Sequence, residues 1–438
     1  MNNYRLQVKN YRAISNADIE INGITVLTGE NGSGKSTITK LVLVLIECIS
    51  NYEYYLIEEF KELVRFKATE FSVLRREITR SMNDGVNLSA KFKEKLNALH
   101  CVGDVDEVRS IYFDMVTQTA SILVDRFNDL DEDRYKRLLN FLEMNESDKF
   151  TYDVFVEHHM NEFDFPLKQL KKSYDNPSID NIWNIVKEHG WDNIVGVKDL
   201  KFFEDSVTIV DSIKDTFEQL LGLENVIYVD TPLILSHPSY YAERYGLWGL
   251  LNSSLFKEKD VKLDVKARKM LLRIQHIING SIYLENPDTD EEEFHYIRQE
   301  DGLKISIKET ATGLKSFAYI LRFLANGTLN NRTLLILDEP EVHLHPQWIV
   351  EFARIIVLLN KELGVRVLLT SHNPDMVSAI QAIAKKEQVE KGLLFYLAEN
   401  EPNSLQYSYK NLGIDISEIF QTFNIALTRI NDYGRMDY

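Results

Sequence analysis

The chain has 438 residues, of which 44% are apolar and 27% charged, an ordinary globular composition with enough apolar material for a core. One hydrophobic core usually serves a shorter chain, so we expect two lobes or a core that carries a large insertion. The net charge of −17 excludes a surface that is basic throughout, and any nucleic-acid contact must therefore be a local patch.

The sequence also argues against secretion and against a membrane anchor. Its N-terminus runs directly into a strand pattern without the segments of a signal peptide, and no apolar run is long enough to span a bilayer. Cys48 and Cys101 indicate neither a disulfide framework nor a zinc site. We expect a cytoplasmic protein without membrane contact.

The N-terminal third begins with strands and then becomes helical. Period-two alternation predicts strands at 4–10 and 17–22, and the apolar run 24–27 predicts a buried strand that enters a glycine-rich turn. Residues 49–224 have helical character, which predicts an α-helical insertion. One buried helix stripe in it comprises Ile57, Phe60, Val64, Ala68, Phe71, Leu74 and Ile78.

Strand character returns in the second half of the chain. The predicted strands are 226–229, 304–307, 333–337, 365–369 and 393–397. The runs at 333–337 and 365–369 are almost entirely apolar, as expected of strands covered by helices on both faces. The sequence therefore predicts an α/β fold whose sheet is assembled from both ends of the chain.

Two clusters leave alternatives open. Residues 61–100 are locally basic, which indicates either solvated helix faces or a nucleic-acid contact. The aromatic residues Tyr240, Tyr241, Tyr245 and Trp248 either stack on bases or pack against the insertion. The basic residues are Arg65, Lys67, Arg75, Arg76, Arg80, Lys91, Lys93 and Lys95.

A phosphate-binding motif lies between a predicted strand and a predicted helix. Residues 29–37 fit the P-loop pattern G-x-x-x-x-G-K-[ST], and the strand–loop–helix context is the one the motif requires. Its glycines let backbone N–H groups surround phosphates, Lys35 reaches the β- and γ-phosphates, and Ser36 holds Mg²⁺. The predicted ATP contacts are Asn31, Gly32, Ser33, Gly34, Lys35, Ser36 and Thr37.

A second motif supplies two acidic residues at the end of a predicted central strand. The apolar run 334–337 leads into Asp338 and Glu339. Asp338 is placed to hold magnesium together with Ser36, and Glu339 can polarise the attacking water. We therefore predict ATP and Mg²⁺ as cofactors, Ser36 and Asp338 as metal ligands, and Glu339 as a catalytic residue.

These motifs make the sequence resemble the OLD-like and SMC-like ABC-type ATPases. Residues 338–346 are similar to the extended Walker B and D-loop of that superfamily, and His372 matches the switch histidine that senses the γ-phosphate. The resemblance thus implies that His372 is a second catalytic residue beside Glu339. Thr312 and Gly313 match the signature motif, which caps the ATP of a partner subunit. Two alternatives stay open, namely that Thr312 is a plain helix N-cap and that His372 is an ordinary loop histidine.

Three further features belong to the same resemblance. Asn10-Tyr11-Arg12 is similar to an N-terminal element of SMC-like ATPases, which implies that Arg12 contacts ATP. The expected Q-loop glutamine is missing, and Asp230 is its candidate substitute. His343 and His345 form a His-x-His pair that we interpret as structural rather than as a metal site.

The resemblance implies an ABC-type P-loop NTPase head formed by residues 1–48 and 225–398, with the α-helical insertion at 49–224. The chain is most similar to stand-alone ATPase subunits of bacterial anti-phage systems, Septu first and PARIS second. This implies a homodimer or higher homo-oligomer and a nuclease partner of the HNH or TOPRIM type. The alternative is a DNA-repair or recombination ATPase of the RecF or SMC type that acts on DNA.

Residues 399–438 are predicted to be a C-terminal helical segment. Asp415 and Glu418 have capping-box spacing ahead of an apolar helical stripe. The helix either closes the core of its own subunit or docks a second subunit or the nuclease. The stripe comprises Ile416, Ile419, Phe420, Phe423, Leu427 and Ile430.

Overall fold

The structure is a computed structural model that describes residues 2–79, 99, 104–127, 130–142, 150–191, 194–236, 247–256, 263–285, 293–421 and 433. Its contacts divide the chain into two compact units. One unit comprises Met1–Ser50 and Ser178–Tyr438, and the other comprises Asn51–Pro177.

The first unit is built on a sheet that has eleven strands in the described part of the chain, in the order β6-β5-β4-β1-β2-β14-β13-β3-β12-β11-β7. In this order the N-terminal strand β2 borders the C-terminal strand β14, and β3 lies between β13 and β12, which confirms the predicted assembly from both ends of the chain. The earlier strands are β1 (Tyr4–Tyr11), β2 (Ile14–Ile21), β3 (Ile24–Thr28), β4 (Asp199–Glu204), β5 (Val207–Asp211), β6 (Thr216–Phe217) and β7 (Asn225–Val229). The later strands of this sheet are β11 (Thr333–Asp338), β12 (Arg366–Thr370), β13 (Leu393–Asn400) and β14 (Tyr407–Gly413).

Five adjacent strands of the sheet are parallel. The pairs β13–β3, β3–β12, β12–β11 and β11–β7 all run in the same direction. Every residue of β3 and β12 is buried, as is every residue of β11 except Asp338. Arg366 interrupts the apolar run, and its guanidinium donates to the carbonyl oxygens of Asn331 and Asn2 and lies over the ring of Tyr4 at 5.2 Å.

Helices cover the parallel strands and complete the core. The helices of this unit are α1 (Lys35–Ser50), α6 (Ile179–Glu188), α7 (Leu247–Phe256), α8 (Val265–Ile277), α9 (Thr312–Ala325), α10 (Pro346–Leu363) and α11 (Pro374–Glu387). Apolar side chains of α9 and α10 pack together with those of β3, β11 and β12 in one cluster. Among the described residues, no helix is long and apolar enough to cross a membrane.

A second sheet of three antiparallel strands contains one of the predicted strands. It consists of β8 (Gly280–Glu285), β9 (Glu293–Arg298) and β10 (Lys304–Ser306) in the order β10-β9-β8. The strand predicted at 304–307 thus forms, but outside the main sheet, and it ends at Ser306 because a 3₁₀ turn begins at Ile307.

The second unit is helical in its described part and has an aromatic core. Its helices are α2 (Tyr52–Thr79), α3 (Val105–Phe127), α4 (Glu132–Phe141) and α5 (Tyr152–Asp175). The rings of Tyr112 and Phe163 stack with centroids 4.1 Å apart, and Phe71 packs against Tyr112 and Phe155. The predicted stripe of α2 is buried at Phe60, Val64, Ala68 and Phe71 and half-buried at Ile57, whereas the side chains of Leu74 and Ile78 lie outside the described residues.

The prediction of helix throughout 49–224 is wrong for residues 199–217. These residues form β4, β5 and β6, which extend the main sheet from β1. In β4 the buried positions are Leu200, Phe202 and Glu204, a period-two pattern that favours a strand. The alternation is not evident in the sequence, because the charged residue Glu204 occupies a buried position that is usually apolar in a strand.

The prediction of a purely helical segment at 399–438 is also wrong. Residues 407–413 form β14, which lies between β2 and β13, so the predicted strand at 393–397 is not the last of the sheet. A helix begins at 417, but Glu418 pairs with Lys410 instead of completing a capping box. Ile419 is buried in the core of its own unit. Phe423, Leu427 and Ile430 lie outside the described residues.

Candidate functional site

The carboxyl ends of four parallel strands bring the predicted motifs together. The P-loop follows β3, Asp338 ends β11, His372 comes shortly after β12, and Asp230 directly follows β7. Because these strands are adjacent and parallel, their carboxyl ends lie at one edge of the sheet. That edge is where open α/β sheets bind ligands.

The P-loop has the backbone shape of an anion cradle. Gly29, Gly32 and Gly34 have φ values of 144°, 82° and 92°, which side-chain-bearing residues rarely adopt. A Cβ atom on Gly34 would lie 2.9 Å from Cγ1 of Ile14, so this glycine is also required by close packing. Lys35 then begins α1, and the loop presents its backbone amides at a helix N-terminus.

Lys35 is held inside this loop. Its side chain is 5% exposed, and Nζ donates to the carbonyl oxygens of Gly29 and Glu30 at 2.9 Å each. Burial lowers the pKa of Lys35, while the charges of Glu339 and Asp338 act in the opposite direction. A buried cation inside a ring of backbone amides fits a polyphosphate. Asn31, Gly32 and Ser36 are exposed, Gly34 and Thr37 are half-buried, and Ser33 is buried.

Asp338 is fixed by two hydroxyl groups that the sequence interpretation did not identify. Oδ1 accepts from Oγ1 of Thr370 at 2.5 Å, and Oδ2 accepts from the Tyr228 hydroxyl at 3.0 Å. Burial raises the pKa of Tyr228, which keeps the hydroxyl a donor. Tyr228 lies on the predicted strand 226–229, and Thr370 directly follows the predicted strand 365–369. The parallel register that brings both residues beside Asp338 could not be predicted from the sequence.

Ser36 and Asp338 line the same open cleft of about 350 Å³. A hydroxyl and a carboxylate oxygen are the hard ligands that Mg²⁺ prefers. The predicted metal ligands therefore fit magnesium. The cleft is also lined by Asp230, Ser316, Tyr319, Glu339, Val342 and His343, among others.

Glu339 and His372 lie together at the same edge. Nδ1 of His372 is 3.1 Å from Oε1 of Glu339, and both side chains are partly exposed. Glu339 has a φ of 49°, and its backbone N–H donates to the carbonyl oxygen and to Oγ1 of Thr370. A carboxylate and an imidazole in contact can orient a water and take up its proton.

The predicted signature residues do lie at a helix N-terminus. Thr312 is the first residue of α9, and the N-cap is Ala311, which makes no side-chain capping bond. The alternative in which Thr312 is a plain N-cap is therefore wrong. Gly313 is buried, and a Cβ atom there would lie 3.2 Å from the carbonyl oxygen of His343 and from the ring of Trp348. The start of α9 thus packs against the segment that follows Glu339.

Arg12 lies in the turn between β1 and β2, close to the P-loop. Ile14, two residues later, is the residue that packs against Gly34. Arg12 has a φ of 53°, is exposed, and lies over the ring of Tyr11 at 5.2 Å. Its guanidinium is therefore available to a ligand at the loop.

The two histidines of the His-x-His pair do different things. His343 lines the cleft, whereas Nδ1 of His345 accepts from the backbone of Gln347 at the start of α10. Within the described ranges, three side chains of metal-binding type lie close enough together to share an ion, namely His158, His159 and Glu162 in the helical unit. Nζ of Lys67 lies 3.2 Å from Oε2 of Glu162. We therefore interpret this group as part of an ion pair and not as a metal site.

The described part of the basic region is neutralised by acidic neighbours. Lys67 pairs with Glu70 and Glu162, and Arg65 pairs with Glu62. These contacts favour solvated helix faces over a nucleic-acid contact. The Arg75 and Arg76 side chains, Arg80, Lys91, Lys93 and Lys95 lie outside the described residues, as do Tyr240, Tyr241 and Tyr245.

Several solved structures are similar to this chain at low identity. An Smc head domain of Pyrococcus furiosus bound to the C-terminal domain of ScpA has 12% identity and a TM-score of 0.36, over 98% of this chain and 100% of that chain. The ADP conformation of an ATP-binding cassette of an ABC transporter has 10% identity and a TM-score of 0.35, over 97% and 98%. A nucleotide-free ATP-binding cassette from an ABC transporter has 10% identity and a TM-score of 0.33, over 91% and 87%. No curated protein matches the sequence.

Two protein families match most of the chain between them. The family described as "AAA domain, putative AbiEii toxin, Type IV TA system" matches residues 239–378. The family described as "AAA ATPase domain" matches residues 1–232, which is more than half of the 438 residues. The predicted α/β P-loop ATPase fold is confirmed by the mixed sheet with its covering helices and by the match to the AAA ATPase domain family. The chain belongs to the AAA ATPase domain family and is an ATP-hydrolysing enzyme.

Proposed function

We propose that the chain is a Mg-ATP-dependent regulatory ATPase that closes two copies of itself around nucleotide and scaffolds or restrains a nuclease in bacterial anti-phage defence. The observation that carries the catalytic part is the convergence of Lys35, Asp338, Glu339 and His372 at one edge of the sheet. The remaining parts of the proposal build on this site.

Each residue at the site has a distinct proposed role. Lys35 and the loop amides bind the phosphates, while Ser36 and Asp338 hold magnesium, which would neutralise charge on the transferred phosphoryl group. Thr370 and Tyr228 orient Asp338 through their hydroxyl groups. Glu339 accepts the proton of the attacking water, and His372 keeps the carboxylate in place.

Closure of two copies is supported by the start of α9. Thr312 is half-buried, and the first turn of the helix has no side-chain cap, so its N–H groups are suited to an anion. Val342, beside the cleft, is 55% exposed. An exposed apolar side chain next to a helix end that suits an anion is compatible with a second subunit that covers the nucleotide.

The defence role is supported by the match to residues 239–378, whose family description names the AbiEii toxin and a type IV TA system. This range includes the signature residues, Asp338, Glu339 and His372. The acidic partners of Lys67 and Arg65 favour this role over DNA repair, because they neutralise the charge that would bind phosphate backbones.

The proposal is tested by expressing the gene with its neighbours in a bacterial host and counting phage plaques. Wild type should reduce plaque numbers and should co-purify with a nuclease encoded nearby, whereas Lys35→Ala and Glu339→Gln should lose protection. Plaque numbers that do not change, together with ATP hydrolysis that DNA stimulates, would overturn the defence role in favour of DNA repair.

A further inference from the structure

Glu341 is a buried carboxylate beside the ATPase site that none of the roles above uses. The side chain is 4% exposed and lies between Glu339 and the start of α10 in sequence. Oε1 accepts from Oγ of Ser371 at 2.5 Å, and Oε2 has no hydrogen-bond partner among the described residues. A buried carboxylate with one unpaired oxygen is costly, so its presence needs an explanation beyond stability.

The partner of Glu341 is the residue immediately before His372. Ser371 is fixed on three sides: its hydroxyl donates to Glu341, the same oxygen accepts from the backbone N–H of Asn373 at 3.1 Å, and its own N–H donates to Leu27. Both neighbours of His372 therefore have fixed positions, while the imidazole itself is 45% exposed and contacts Glu339.

The segment that carries Glu341 also reaches the signature helix. The Leu344 N–H donates to the Glu341 carbonyl oxygen at 2.9 Å, which closes a tight turn around His343. The His343 carbonyl oxygen in turn lies at Gly313, where a Cβ atom would be 3.2 Å away. Glu341 is thus the side chain that joins this turn to the residues around His372.

We propose that Glu341 is a positioning residue that acts through Ser371 to hold His372 against Glu339, and that it couples this contact to the turn beneath the signature helix. The inference rests on the proposed roles of Glu339 and His372. Only the acceptor oxygen is needed for the contact with Ser371, so a glutamine at position 341 preserves the coupling, whereas an apolar side chain removes it.

The test compares hydrolysis with nucleotide binding in purified full-length protein. Glu341→Leu and Ser371→Ala should each lower kcat on the order of tenfold, which is the size of one buried hydrogen bond expressed as a rate. The affinity for a fluorescent ATP analogue should stay close to that of wild type, because the P-loop is untouched. Glu341→Gln should retain most of the wild-type turnover. The double variant, Glu341→Leu with Ser371→Ala, should be no slower than the slower of the two single variants.

Glu204→Leu is the matched control, since Glu204 is also buried but lies on β4, near the other end of the sheet. This variant should lower stability without separating kcat from ATP affinity. If Glu339→Gln is slow, then either unchanged turnover in Ser371→Ala or additive losses in the double variant would overturn the positioning role of Glu341. Wild-type turnover in Glu339→Gln would overturn the proposed site and this inference together.

Discussion

Nδ1 of His372 lies 3.1 Å from Oε1 of Glu339, which joins the residue after β12 to the residue after β11. Neither side chain is buried, so this contact is held by the backbone around it rather than by packing. The N–H of Glu339 donates to Thr370, two residues before His372, and this ties the two segments together.

Replacing His372 with alanine should therefore slow hydrolysis more than it weakens binding. We expect kcat to fall about tenfold, the effect of one lost polar contact in the transition state. ATP affinity should change little, because Lys35 and the loop amides are intact. Phosphate release and equilibrium nucleotide binding measure the two quantities, and an equal loss in both would mean that His372 contacts ATP in the ground state.

Lys35→Ala should abolish ATP binding. The substitution removes the buried cation that the loop holds between the Gly29 and Glu30 carbonyl oxygens. Retention of labelled ATP on the purified protein measures this directly. Lys40→Ala, which lies further along α1, is the control and should bind as wild type does. Normal retention by Lys35→Ala would contradict the assignment of the P-loop.

Glu341→Gln should stabilise the protein at neutral pH. Burial raises the pKa of Glu341 despite the bond from Ser371 and the charge of His372, which both lower it, and the charge of Glu339 raises it further. The folded state thus holds the proton more tightly than the unfolded state, so wild-type stability falls as pH rises from the ordinary glutamate pKa through the raised value. Glutamine removes that loss and keeps the acceptor.

Thermal unfolding at about pH 4 and about pH 7.5 measures this difference, because the range begins below the ordinary glutamate pKa and extends well above it. The advantage of Glu341→Gln over wild type should be larger at the higher pH. An equal advantage at both values would show that the carboxylate does not titrate in that window.

The predicted contribution of Thr312 to a partner's site can be tested by mixing two inactive variants. A Cβ at Gly313 would lie 3.2 Å from His343, so Gly313→Asp disturbs packing within its own chain. Thr312→Glu is the better choice, since it places a negative charge toward the nucleotide without entering that contact. Mixed with Lys35→Ala, it should recover hydrolysis from one intact composite site, whereas inactivity of every mixture would contradict closure of two copies.

Two deletions test whether the C-terminal segment closes the core of its own subunit or docks a partner. Removal of 411–438 deletes the end of β14 and the buried Ile419, and it should give an insoluble protein. A chain that ends at 421 keeps β14 and the Tyr409 hydroxyl, which donates to the carbonyl oxygen of Ser33 in the P-loop. This shorter deletion should bind ATP but lose its partner or higher assembly, as judged by light scattering and co-purification. Unchanged assembly would remove the docking role of the terminal segment.

The positions of the candidate site residues were easier to predict from the sequence than the order of the strands in the sheet. The P-loop, Asp338, Glu339 and His372 are local patterns, and their positions at strand ends could be predicted without knowing the strand order. The hydroxyl partners of Asp338 could not, because Tyr228 and Thr370 lie far from each other in sequence and meet only through parallel register. The strands at 199–217 were not predicted because Glu204, a charged residue, occupies a buried position of β4. Its carboxylate accepts four hydrogen bonds, from Asn2, Tyr4 and the N–H groups of Leu221 and Gly222, and these distant partners cannot be recognised in the sequence.

Phosphate release from Glu339→Gln with ATP already bound tests the catalytic site most directly. This variant keeps the backbone bonds of Glu339 to Thr370 and leaves Asp338 and Lys35 intact, so it should retain ATP. A glutamine cannot accept the proton of the attacking water, and release should therefore slow on the order of a hundredfold. Release at the wild-type rate from bound ATP would contradict the assignment of Glu339 as the catalytic base.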